Sequence, residues 1–540
     1  MALDSWEKKA QAKRAQAAAK IPRNWQLPAK IIELASQDSN QSVLAIPRAC
    51  GLLTERELDI TEAHDATALV EKMARREFTS QEVTTAFSKR AAIAQQLTSC
   101  LTETFFEEAL ERARQLDEHI EKTGQVVGPL HGLPISMKDS FSVAGIPSTI
   151  GFVDFLDHAP KDYNSALVDV LRGLGAVLYV KTNIPQTMMT ADSHNNVFGR
   201  TLNPQRLNLT PGGSSGGEGA LISMRGSLMG VGTDVAGSVR IPALCCGIVG
   251  FKPTADRVPY SGLTSAERPG FMGIASCAGP LCTSVRDAEL FARAVFNSNA
   301  ADLDGTALGI PWREPEDPKK KVLTIGIMPE SSAYPLHPPM QRTLKTVIRK
   351  LVAAGHKVVD LSGKLPSISE TCDVSYRFFN MDPDQTFLSH VQRSGEPFIP
   401  SLKFSFDLEG QQAEPKLREF YDLNARKQTI VAHMHRVFVE NQLDLVLGPG
   451  HHSCAVPHDT YGPAPYTVLW NLLNYPACVL PFGNANSTVD AEFVRNVKYR
   501  PAYKPDEVPG APCHIQLAAR PFKDENLLRF AAMVEQVLEN

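Results

Sequence analysis

The sequence predicts an α/β fold built on one large mixed, mostly parallel central sheet covered by helices on both faces. Two observations carry this expectation. Short apolar runs of strand length alternate along most of the chain with segments whose apolar residues recur at helical spacing. Strands that alternate with helices imply a largely parallel or mixed sheet covered on both faces. With 540 residues, 43% apolar and 21% charged, the chain has enough apolar surface to bury a large core unaided.

In chain order, Ser5–Lys20 and Ala66–Arg76 read as short helices joined by connectors that contain Ile21-Pro22 and Ile46-Pro47. This makes residues 1–79 a helical N-terminal extension and residues 80–540 the α/β domain. Phe105–Leu116 has helical periodicity and no breaker, and Leu133–Met137 is a short apolar run closed by Lys138-Asp139. Leu167–Leu174 is a helix stopped by Gly175, followed by a buried strand over Ala176–Val180. Ala300–Lys321, with its acids and prolines, reads as a polar loop. Val322–Met328, Lys357–Leu361, Leu443–Leu447, Ala477–Pro481 and Cys513–Ala518 read as strands, and Met340–Ala354 and Glu525–Leu538 as helices.

Composition excludes several classes of function. With 55 Lys+Arg against 59 Asp+Glu, the net charge of −4 offers no basic field for nucleic acid or anionic lipid. No stretch approaches the ~18 uninterrupted apolar residues that a membrane span requires. Met1–Lys20 lacks the apolar core of a signal peptide, and Asp4 and Glu7 speak against a transit peptide. Ten thinly spread cysteines read as reduced thiols, so the expected location is the cytoplasm.

One region stands apart: Pro211-Gly212-Gly213-Ser214-Ser215-Gly216-Gly217-Glu218-Gly219-Ala220, then Gly230-Val231-Gly232-Thr233-Asp234-Val235-Ala236-Gly237-Ser238-Val239-Arg240. Glycine at this density implies that the backbone must approach something closely. A P-loop would need Gly-Lys-Ser/Thr where Glu218 follows Gly217, and no strand precedes the segment as a dinucleotide fingerprint requires. Gly212–Gly216 and Gly213–Gly217 match the nucleophile elbow around Ser214 or Ser215, with His356, His451, His452, His458 and His514 as downstream candidates. A third reading combines two serines and a lysine. The small-residue loop before Ser238 has N–H groups that could converge on an oxyanion, and Lys138, closing an apolar run, is placed for burial and for service as a neutral base.

Taken together, His131–Asp139, Gly212–Gly219, Gly232–Arg240 with Ile241-Pro242, and Gly250-Phe251-Lys252-Pro253-Thr254 resemble the amidase signature family. The likeness continues through Lys181-Thr182-Asn183, Gly279-Pro280-Leu281, Asn471–Pro481 and Gln516, over roughly residues 80–535. Ser5-Trp6-Glu7 and Ile21-Pro22 resemble the fungal acetamidase or general amidase branch rather than the membrane-anchored fatty acid amide hydrolases. The resemblance implies Ser238 as nucleophile, Lys138 as general base, and Ser214 as a bridging serine that follows a cis peptide. It also implies an oxyanion hole from the N–H groups of Val235, Ala236, Gly237 and Ser238. Asp234, Arg240 and Ser215 are expected to brace these groups, and Met188, Gly212 and Gly213 to touch substrate.

Such an enzyme cleaves a small-molecule amide with no cofactor or metal, and the family leaves room for a homodimer. One departure stands out, since the family usually has Gly-Gly-Ser where this chain has Ala236-Gly237-Ser238. An alanine at 236 would be strained if that position needs a positive φ. An amidotransferase-type subunit that releases ammonia from glutamine, a catalytically silent scaffold and a Ser-His-Asp hydrolase are the competing readings. His451, His452, Cys454 and His458 fit no standard zinc spacing and are expected in a loop lining the acyl pocket. Phe152, Met188, Met189 and the Pro449–Tyr466 loop are expected to shape that pocket. Cys245-Cys246 are expected to be buried and inert, and Asp139 to act as a cap or acid partner.

Overall fold

The computed structural model describes residues 6–314, 320–409 and 414–539. Among them, eleven strands form one sheet: β1 (Leu101–Thr104), β2 (Pro134–Lys138), β3 (Val177–Thr182), β4 (Met229–Asp234), β5 (Val249–Lys252), β6 (Cys277–Cys282), β7 (Thr324–Ile327), β8 (Lys357–Asp360), β9 (Leu445–Gly448), β10 (Ala477–Asn484) and β11 (Pro512–Ala518). Their order is β1-β3-β2-β4-β6-β5-β10-β11-β9-β7-β8. Every residue of β2, β3, β4, β6 and β11 is buried, so both faces of the sheet are covered.

The expected mixed α/β sheet is present, but its balance of directions needs correcting. Parallel pairing joins β3, β2 and β4 at one end and β9, β7 and β8 at the other. The strands between, from β4 through β6, β5, β10 and β11 to β9, pair antiparallel, as does β1 with β3. Two connections account for part of this. β5 reaches β6 through the irregular stretch 253–276, and β10 reaches β11 through a segment with only short helical pieces. Neither carries a long crossover helix, so each successive pair can fold back on itself.

The predicted elements lie close to their expected bounds, for example helices over Phe106–Thr123, Ala166–Gly173, Pro338–Ala353 and Asp524–Glu539. The first helix runs over Trp6–Ala19; Ser5, and residues 315–319 of the expected polar loop, lie outside the described residues. The described part of the N-terminal segment packs onto the sheet's core. Ile21, Leu27, Val43, Leu58, Leu69 and Met73 join the same hydrophobic cluster as the domain, and Lys13 and Lys20 both pair with Glu103 of β1. Ser136 pairs with Gly230 and Met137 with Val231, so parallel neighbours β2 and β4 bring Lys138, Thr233 and Asp234 to the same C-terminal edge of the sheet. Loops beyond the carboxyl ends of such strands are where α/β folds hold ligands.

Candidate active site

Lys138 closes β2, and its side chain is wholly buried. Its Nζ lies 2.7 Å from Ser214 Oγ and donates to Thr233 Oγ1, also at 2.7 Å. Burial pulls the ammonium down to about 7, against Asp234 and Glu218, which favour the charged form. The solvated surface charge that is the usual state of a lysine is therefore not its state here.

Ser214 sits in the turn before the helix Gly216–Ser223, and the Gly213–Ser214 peptide is cis. This turn is threaded tightly between its neighbours. A Cβ on Gly213 would stand 2.5 Å from Thr190 O, and one on Gly212, whose φ is +79°, would stand 2.8 Å from Ile241 O. Gly212 therefore supports the backbone and lines neither cavity at the site, which corrects its expected place against substrate. Ser215 is buried, and its N–H donates to Ser238 O at 3.2 Å, tying the two glycine-rich segments together as a brace.

β4 runs directly into the loop 235–239, and the helix Arg240–Cys246 follows. The strand-turn-helix arrangement sought around Ser214 thus occurs around Ser238. Asp234 and Arg240 are both fully buried and bidentate, with Nε and Nη2 each 3.0 Å from a carboxylate oxygen, which excludes a surface ion pair. Arg240 also donates to Thr467 O, Gln516 Oε1 and Asn471 Oδ1. Burial alone would raise the Asp234 carboxyl, but the Arg240 guanidinium, with Lys252 and the Asn471 amide, holds it down at about 2.

Asp234 accepts from the N–H of Gly237 at 2.8 Å and of Val239 at 3.2 Å. The Gly237 donor is thereby committed to Asp234, which reduces the expected oxyanion set to Val235, Ala236 and Ser238. Gly237 itself carries the left-handed backbone, at φ +129°, with Thr467 where a Cβ would be. Ala236 has no positive φ, so the departure from Gly-Gly-Ser is accommodated without strain. Thr467 Oγ1 also donates to Ala236 O at 2.7 Å and fixes that peptide plane.

Ser238 is nearly buried and lines two cavities that meet at it. One is largely apolar, walled by Met188, Met189, Ile241, Tyr376, Phe379 and Phe404, and Gly213, Val235 and Ala236 also line it. The other carries hydroxyls from Ser140, Ser214, Thr233, Thr264 and Ser276 beside apolar side chains of Met188, Met189, Leu263 and Phe387. Met188 lines both cavities and Gly213 the apolar one.

Several other expectations are corrected. Phe152 packs with Phe155 and His390 in a separate small cluster and lines neither cavity. Of the Pro449–Tyr466 loop, Tyr461, Gly462 and Ala464 reach the apolar cavity, but His451, His452, Cys454 and His458 do not. No group of His, Cys, Asp and Glu suited to a metal ion occurs among the described residues. The histidines of the elbow reading are engaged elsewhere: His356 with Leu323 N, His451 with Ser453, His452 with Arg500 O, His458 with Leu207 O, and His514 with His451 N. Asp139 accepts from Thr102 and from Ile150 N and pairs with Lys181 at 3.6 Å, a structural role. Cys245 and Cys246 are buried, with thiols pushed well up by desolvation.

The profile of the Amidase family matches residues 82–528. This chain belongs to the amidase family. An "Amidase" of Gibberella moniliformis is 41% identical over the whole of both chains, and an "Acetamidase" of Emericella nidulans is 36% identical over 99% of each. A solved "Fatty acid amide hydrolase" superposes with a TM-score of 0.91 at 32% identity, covering 99% of this chain and 95% of its own. That likeness takes in the N-terminal helices too. No described helix of this amidase is long and apolar enough to cross a membrane.

Sequence reasoning missed Thr233, the second partner of Lys138, although it lies inside the quoted motif beside Asp234. It also missed Thr467, which props Ala236, and the cavity walls Tyr376, Phe379 and Phe404, which no local pattern ties to the glycine-rich loops.

Proposed function

We propose that this amidase hydrolyses carboxylic acid amides through an acyl-enzyme on Ser238, with Lys138 as base and Ser214 as relay. The observation that supports this most directly is the 2.7 Å contact between Lys138 Nζ and Ser214 Oγ in a fully buried setting. A lysine pulled down to about 7 is substantially neutral at neutral pH. Thr233 accepts one N–H, which leaves the nitrogen lone pair for the Ser214 proton.

In the proposed cycle Ser214 gives its proton to Lys138 and takes the proton of Ser238 as Ser238 Oγ attacks the carbonyl carbon. The N–H groups of Val235, Ala236 and Ser238 receive the developing oxyanion. Collapse breaks the C–N bond, the nitrogen takes a proton back through Ser214, and ammonia or an amine departs. Water, deprotonated by the same relay, then releases the acid and restores Ser238. The two serine hydroxyls are not hydrogen-bonded to each other here, and the relay requires the Ser238 hydroxyl to turn within hydrogen-bond reach of Ser214 Oγ when substrate binds.

The linings of the two cavities support one direction for the substrate. Ser214 and Thr233 line only the hydroxyl-rich cavity, so the leaving nitrogen, which must meet Ser214, belongs on that side. The acyl group then extends into the apolar cavity among Ile241, Tyr376, Phe379 and Phe404. We therefore read the substrates as amides of apolar acids, aryl or alkyl, larger than acetamide. The ten free thiols, nine of them buried, support a reducing, cytoplasmic setting.

Initial rates on a panel of primary amides from acetamide to aryl and longer alkyl amides test this reading, with Ser238→Ala and Lys138→Ala as controls. The expectation is turnover that rises with apolar acyl size and is abolished in both variants. Hydrolysis confined to glutamine, or full turnover by Lys138→Ala, would overturn it.

A further inference from the structure

Glu218 lies on the helix that follows Ser214 and Ser215, and its side chain is fully buried. Ser136, two residues before Lys138 on β2 and so on the same face of the sheet, donates to Glu218 Oε2 at 2.5 Å. Thr182, the register partner of Lys138 on β3, donates to Oε1 at 2.8 Å. The carboxyl is thus clamped by the two hydroxyls that flank the lysine. Gly230 of β4 closes the clamp, since a methyl group there would fall on the carboxyl itself. A carboxylic acid in so dry a place needs a reason, and the proton relay does not use it.

The charges around the pair are few. Lys138 is the cation that acts on Glu218. Cys100 and Tyr179 also face it, and burial keeps both protonated, with the Cys100 thiol pushed up to about 12. Asp234, the other acid that acts on Lys138, is held as an anion by Arg240. Glu218 differs from Asp234 in having no guanidinium against it, and desolvation pushes its carboxyl up to about 7, opposed by Ser136, Thr182 and Lys138. Of the two acids that act on Lys138, Glu218 is therefore the one able to change charge near neutrality.

We propose that Glu218 is a positioning residue that sets the protonation of Lys138: ionised, it holds the lysine as the inert ammonium, and protonated, it releases the free amine the relay requires. The inference rests on Lys138 being the base.

The test is the pH profile of kcat/KM for release of 4-nitroaniline from the 4-nitroanilide of an apolar acid. It compares wild type, Glu218→Gln and Thr182→Val, with Lys138→Ala alongside. Removing the negative charge should move the midpoint of the acid limb of the Gln variant down by up to about one pH unit, the two profiles converging well below it, where the wild-type Glu218 is itself protonated. Thr182→Val removes one of the donors that favour the carboxylate and should move the limb the same way by less; it carries the test if the Gln variant fails to fold. A limb that stays in place or moves upward, with Lys138→Ala inactive, overturns the inference alone. An active Lys138→Ala overturns the assignment of the base beneath it. A merely structural role would lower stability and leave the limb where it is.

Discussion

Replacing Asp234 by Asn changes one atom and tests the frame that carries Ser238. Asp234 Oδ1 accepts from Gly237 N–H at 2.8 Å, Arg240 Nη2 at 3.0 Å and Asn471 Nδ2 at 2.9 Å; Oδ2 accepts from Val239 N–H at 3.2 Å and Arg240 Nε at 3.0 Å. An asparagine has a single acceptor oxygen, so whichever way it turns, its NH2 meets donors that had an acceptor before. It also leaves the Arg240 guanidinium buried without its counter-charge, and breaking a buried pair of this kind costs about 3–5 kcal/mol. The loosened segment is the one from which Val235, Ala236 and Ser238 are aimed. Misalignment of a single oxyanion donor lowers kcat by about 10²–10³-fold. Initial-rate kinetics that separate kcat from KM, on protein whose fold is checked by circular dichroism, measure this. The expected result is a kcat reduced by about 10²-fold or more with KM changed only a few-fold. A folded Asp234→Asn enzyme with kcat within about threefold of wild type would refute the claim that this carboxylate holds the oxyanion loop.

Two further outcomes follow from the same geometry. Gly237→Ala should abolish activity, because φ is +129° and the new methyl would fall on Thr467, whereas Ala236→Gly should stay within about threefold of wild-type kcat, since Ala236 has no positive φ to relieve. Acid should destabilise the protein through its buried histidines. Burial, with His452 beside it, holds His337 at about 3, against ~6.5 in the unfolded chain, so between these values the unfolded state binds the extra proton and stability falls with pH. His337→Phe, in a pocket already walled by Tyr499 and Tyr503, removes that group; the stability of wild type relative to the variant should drop by about 1.4 kcal/mol from pH 7.5 to 5.5, as read by guanidinium unfolding at the two pH values. An identical pH response in the two proteins would contradict it.

The strands and helices around the site were legible because their signals are local. Leu133–Met137 is an apolar run closed by a lysine, and the glycine-rich segments give themselves away through density alone. The parallel bias was overestimated, because the alternation of helix and strand does not reveal that 253–276 and the stretch between β10 and β11 lack long helices. The triad candidates could be named from three motifs lying 76 and 24 residues apart, yet nothing local brings Lys138 to Ser214; the parallel pairing of β2 with β4 and the turn before Gly216 do that. Commitment of the Gly237 N–H to Asp234 was equally hidden, being a matter of where one carboxylate turns. Phe152 was misplaced for a like reason. One of its packing partners, His390, lies far along the chain, where no local pattern could tie it to Phe152.

The rate at which a fluorophosphonate labels Ser238, followed between about pH 5 and 9 in wild type and in Lys138→Met, bears most directly on the buried neutral amine. The account predicts a wild-type rate that climbs through a limb near pH 7 as Lys138 sheds its proton, and a Met variant that shows no such limb and labels about 10²-fold more slowly. Labelling of the Met variant at the full wild-type rate, or a wild-type rate indifferent to pH across that range, would contradict it.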